Sequence, residues 1–156
     1  MGMAEEIGLL CRWDIWANRQ VLEAIREAKG QPSEALAAIQ HVFATEITWL
    51  RRVDRASDPW GEPWGEPSLA LCDEWSAEVR ERLMRLASRS DEELAGTFSY
   101  SNSRGEPFSD ILQRSMLHML MHSSQYRGEG AGFLNHSGGL VRDLDYVGWL
   151  RRGEAE

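Results

Sequence analysis

Two histidines, His118 and His122, stand four residues apart in the stretch Ile111 to Phe133, ILQRSMLHMLMHSSQYRGEGAGF, and His41 lies in an earlier segment. Imidazoles at i and i+4 leave the same side of a helix and can share one metal ion. A third imidazole from a facing helix would complete an open site of the catalytic kind. Spacing alone leaves a second reading in place, a polar core whose histidines are satisfied by hydrogen bonds. Other chemistries find no footing. Met119 follows His118, so the built-in general base of an HExxH helix is missing. Paired Glu-x-x-His elements of the di-iron bundles are absent, as are GxSxG, P-loop and dinucleotide fingerprints.

These side chains need helices to hold them. Ile111, Ser115, His118, His122, Tyr126, Glu129 and Phe133 follow one another at steps of three or four, which predicts a helical seam facing a partner. Ser109 with Asp110 is the expected N-terminal cap, and the helix should run to about Asn135. Upstream, Leu10, Trp13, Ala17, Val21, Ala24 and Ala28 form the seam of a helix over residues 4–28, with Gly30 and Pro32 ending it. Ser33 opens a second helix with Leu36, Ile39, Phe43, Ile47, Leu50 and Val53 on its apolar face. His41 lies on the neighbouring stripe of that helix, among the small residues Ala37, Ala44 and Thr48. The helix is expected to end near Ser57, Asp58 and Pro59.

Asp58 to Pro67 (DPWGEPWGEP) repeats a PWGE unit and reads as a loop, its two tryptophans packed across one end of the fold or lying over a pocket. Ser68 caps a third helix with Cys72, Trp75, Val79, Leu83 and Leu86 as its seam. After Asp91 the period changes. Thr97 to Tyr100, the turn residues Ser101 to Gly105, and Glu106 to Phe108 form a short hairpin or extended loop. Asp143 to Arg152 (DLDYVGWLRR) closes the chain with one short helix. The expected fold is all-α: one domain over residues 1–156, a four-helix bundle with a hairpin inserted before the last long helix.

Composition narrows the function. The 156 residues are 42% hydrophobic, enough for a genuine core. No apolar run approaches the length of a bilayer span, and the acidic N-terminus does not resemble a signal peptide, so a cytoplasmic location is expected. The net charge is −8 and the basic residues are dispersed, which argues against nucleic acid as a partner. Cys11 and Cys72 lack CxxC spacing and read as buried free thiols.

The segments RWDIWANRQVL, HVFATEITWLRRV, HMLMHSSQYRGE and DLDYVGWL, in that order over nearly the whole chain, together resemble the DinB/YfiT-like family of metalloenzymes. That resemblance implies a four-helix bundle, usually a homodimer, with a zinc or nickel ion between one histidine of the second helix and two of an HxxxHRGQ motif. It implies a thiol-dependent S-transferase or a hydrolase acting on a small molecule, with a low-molecular-weight thiol as partner, and no DNA-binding role. Carried across, His41 matches the second-helix ligand and His122 the first histidine of the motif. Tyr126 stands where the second histidine belongs, and Glu129 replaces the glutamine, while Arg127 and Gly128 are kept. The third metal group is then Tyr126 or His118, and Glu129, Arg127 and Thr45 are expected around the pocket. The alternative is a metal-free bundle whose degenerate site grips a small ligand.

Overall fold

The computed structural model describes residues 2–30, 32–56 and 65–154. Among them run the helices α1 (Met3–Glu27), α2 (Ser33–Val53), α3 (Leu69–Ala87), α4 (Asp91–Ala95), α5 (Leu112–His136) and α6 (Tyr146–Arg151). The strands β1 (Thr97–Ser101) and β2 (Pro107–Ile111) form an antiparallel hairpin between α4 and α5, with Ser99 opposite Ser109. The protein is thus mostly helical with one small sheet.

The long helices form where apolar residues recur at helical spacing, and the core is built from those stripes. In α3 all five seam residues (Cys72, Trp75, Val79, Leu83 and Leu86) are buried. In α2, Leu36, Ile39, Phe43, Ile47 and Leu50 are buried as expected. Ser68 Oγ accepts from Leu71 N–H at 3.3 Å and caps α3. Gly30, at φ +91, carries the chain out of α1 through a backbone conformation that favours glycine. The main contacts are α2 with α5, α1 with α3, and α3 with α2, so α5 lies over α2 along the line where His41 and His122 meet. Arg51 of α2 reaches Glu78 of α3 at 2.7 Å and ties the two helices at their surface, while Arg82 of α3 holds the same carboxylate at 2.8 Å from within its own helix.

The structure corrects three local expectations. Ser109 and Asp110 belong to β2 rather than to a helix cap. Asp110 instead accepts from the Tyr100 hydroxyl at 2.8 Å, and α5 starts at Leu112, whose N–H donates to Gly96 O at 2.9 Å. A short helix, α4, occupies residues 91–95 before the hairpin. Its Ser90 and Glu93 form a reciprocal capping box, legible in the S-x-x-E spacing. The third correction concerns the face of α5. The buried stripe is Leu112, Ser115, Met116, Met119, Leu120, Ser123, Arg127, Gly130 and Leu134, while His118 and Glu129 are exposed and Phe133 is 37% exposed. The inward face is the stripe that carries Leu112, Met116, Met119, Leu120 and Leu134, and Arg127 on it finds partners on α1.

The C-terminal segment has a packing role. Trp149, 1% exposed, lies with Trp13, Trp16 and Ala17 in a second apolar cluster, and Trp13 Nε1 donates to Leu144 O at 2.9 Å. Asp145 caps α6 by accepting from Gly148 N–H. α2 ends at Val53, earlier than expected, with Asp54 as its C-terminal cap, and residues 57–64, which carry both tryptophans of the expected loop, lie outside the described residues. No helix among the described residues is long and apolar enough to cross a membrane.

Candidate functional site

Three rings meet between α2 and α5. His41 Nε2 and His122 Nε2 are 3.4 Å apart. The Tyr126 ring packs against both, with centroids 4.3 Å from His41 and 4.6 Å from His122. His41 is 6% exposed, with the His122 and Tyr126 rings packed against it, while His122 and Tyr126 are half-buried. Burial, and then the neighbouring His41 and His118, hold His122 below the ordinary histidine range, which favours the neutral ring. Its Nδ1 is buried and has no hydrogen-bond partner among the described residues.

His118 lies outside this trio. It is exposed, its ring centroid is 6.4 Å from that of His122, and it meets Trp49 edge-on at 5.6 Å. Tyr126 is therefore the residue that the structure brings to the histidine pair. Among the described residues no three His, Cys, Asp or Glu side chains are grouped closely enough to hold a metal.

His41 and Tyr126 open onto a cleft of about 410 Å³, also lined by Glu34, Ala37, Glu66, Glu129 and Phe133. The 65–67 wall of the cleft is pinned by Gln40, a buried residue whose spacing gave no hint of its role. Gln40 Nε2 donates to Gly65 O and Glu66 O at 3.2 and 3.1 Å, and its Oε1 accepts from Ser68 N–H at 2.8 Å. Glu129 lines this cleft. Thr45 is half-buried and is not part of the cleft lining.

Arg127 is placed differently from the pocket role expected of it. It is 1% exposed, and its Nη1 donates to Asp14 Oδ1 at 2.6 Å and to Asn18 Oδ1 at 2.7 Å. Its guanidinium also lies 4.6 Å from the Trp13 ring centroid. Asn18 Nδ2 bridges onward to Asp14 and to both Glu46 oxygens, at 3.1 and 3.2 Å. Burial, then the Asp14 charge and a hydrogen bond with it, raise the Glu46 carboxyl well above the usual carboxylate range. A neutral Glu46 leaves Arg127 and Asp14 as a compensated pair. Ser123 Oγ, also buried, faces this network without a hydrogen bond of standard geometry. The sequence carried a signal for it: Cys11, Asp14, Asn18 and Val21 share one stripe of α1, so two polar residues interrupt an apolar face.

Both cysteines are buried. Burial, with Asp14 and Glu46 nearby, pushes the Cys11 thiol up, and burial pushes Cys72 up to about 12. Neither is a thiolate at neutral pH, so neither serves as a nucleophile. No family model, curated protein or solved structure matches the chain.

Proposed function

We propose that the chain is a metal-dependent enzyme of the DinB/YfiT-like type, built as a four-helix bundle and acting as a homodimer in the cytoplasm. His41 and His122 hold zinc or nickel with Tyr126 beside them, and the reaction is a thiol-dependent transfer or a hydrolysis on a small molecule. The observation that carries this reading is the 3.4 Å between the two Nε2 atoms. That is long for a hydrogen bond, whose donor and acceptor usually lie about 2.7–3.2 Å apart. Two nitrogens each about 2.0–2.1 Å from a tetrahedral zinc would be about 3.3 Å apart. A neutral His122 is also the form that ligates.

The donor set fits such an ion with two nitrogens, one fewer than is usual for a catalytic zinc. The position next to them is lined by a phenol. When bound, the metal would lower the pKa of a coordinated thiol or water. The chain's own groups bind and exclude: Tyr126 covers the histidine pair, and the cleft receives the substrate. With Cys11 and Cys72 buried, the thiol has to come from a small molecule.

The second reading, a metal-free small-ligand pocket on the same scaffold, is favoured by the missing third donor among the described residues. Calorimetric titration with zinc and nickel decides between them. The parent protein should bind, Tyr126→His should bind on the order of tenfold tighter, equivalent to about 1.4 kcal/mol, and His122→Ala should not bind. Affinity in Tyr126→His alone would favour the metal-free reading. Equal affinity in all three proteins would refute a metal site at this pair.

A further inference from the structure

The cleft that opens beside the histidine pair has one sign of charge. Glu34, Glu66 and Glu129 line it, and no lysine or arginine does among the described residues. None of these three glutamates takes part in an ion pair among the described residues. Carboxylates elsewhere do, with Asp14, Asp54, Glu78, Glu106 and Glu154 all meeting arginines.

Apart from His41 and the backbone of Gly65, the remaining lining of the cleft is apolar and aromatic. Tyr126 and Phe133 supply ring surface from α5, and Ala37 and Ala38 leave room on the α2 side. Glu66 does not depend on its own side chain for its place, because Gln40 fixes the backbone of residues 65–68. Ring faces attract cations through their quadrupoles, and a cleft with low-dielectric walls concentrates the field of its carboxylates. Without a metal on the histidines, an anionic ligand entering here would meet three like charges and no lysine or arginine among the described residues.

We propose that this cleft binds a small organic cation, an amine or quaternary ammonium attached to an apolar body, which sits between the carboxylates and the Tyr126 and Phe133 rings. The inference rests on the cleft being the substrate site of the proposed function, but not on the metal. It names the class of molecule that the cleft takes, and in the metal-free protein it excludes carboxylate and phosphate ligands.

The test measures binding of benzyltrimethylammonium, benzyl alcohol and phenylacetate to the full chain by calorimetry and by amide chemical shifts, once with a chelator and once with zinc. The cation should bind about tenfold tighter than the alcohol, equivalent to about 1.4 kcal/mol, and the preference should shrink as salt is raised. Phenylacetate should not bind in chelator. The double variant Glu34→Gln, Glu129→Gln should weaken the cation about fivefold, given the modest worth of exposed ion pairs, whereas Glu81→Gln on α3 should leave it unchanged. Equal binding of the three probes, binding of none, or cation affinity unchanged in the double variant overturns the inference. Cation binding in chelator alongside a flat zinc titration would refute the metal reading and leave this one standing. Zinc binding without any preference for the cation would do the reverse.

Discussion

Arg127 takes a structural place in the core although it adjoins the candidate site in sequence. It stands next to Tyr126 in the sequence, yet it reaches Asp14 and Asn18 in the core while Tyr126 lies against the histidines. Removing a partner from a buried ion pair leaves the other charge uncompensated. Arg127→Met should therefore lower stability by about 3–5 kcal/mol in urea unfolding. Glu46 behaves oppositely. Its carboxyl is raised above the ordinary value of 4.5, so the folded state holds a proton that the unfolded state releases as pH rises past that value. Stability from this group is present at low pH and is lost as pH rises from there toward the folded value. Glu46→Gln keeps an acceptor for Asn18 and a donor toward Asp14 without the titration. The variant should gain on the parent in unfolding midpoint between pH 5 and pH 8, and an equal difference at both pH values would refute a protonated Glu46.

Among the helices, α5 and α2 decide the site because their separation sets the distance between His41 and His122. Gly130 lies in that contact: a Cβ there would come within 3.3 Å of Ala38 Cβ and 3.5 Å of Ala35 O. A Cβ at Gly128 would meet nothing within 4 Å. Alanine is preferred over glycine in a helix interior by about 1 kcal/mol. Gly128→Ala should thus raise stability by up to about that amount. Gly130→Ala should forfeit the gain, because α2 has to move to admit the methyl group. Thermal melts of the two variants give the comparison, and equal stabilisation would show that α2 and α5 are not closely apposed there.

Two expectations concern the molecule as a whole. With a net charge of −8, 17 basic residues and several arginines already paired with carboxylates, it should give no gel shift with duplex DNA at near-physiological salt. A shift at submicromolar protein would overturn that. The proposed homodimer has apolar surface available to it, including Met121 at 72% exposed on α5 and Phe108 at 45% exposed on β2. Sedimentation at micromolar concentration should show a dimer, and a monomer there would remove that part of the proposal.

Helical periodicity is local, so the sequence by itself determined where the long helices run and most of what they bury. The five core residues of α3 and the central apolar residues of α2 could be read from spacing alone. The hairpin was legible from its alternation and turn residues. The capping box of α4 was written in Ser90 and Glu93 and needed only to be looked for. Which stripe of α5 faces inward was a tertiary decision, because two adjacent stripes both carried polar residues. Only partners on other helices could satisfy one of them. Arg127 finds Asp14 from 113 positions away, and with that stripe turned inward His118 lies in solvent while His122 and Tyr126 lie against His41. The unpaired carboxylates of the cleft are likewise scattered over 34, 66 and 129 in the chain. No local pattern joins them, since what they share is a wall built by α2, α5 and the backbone that Gln40 holds.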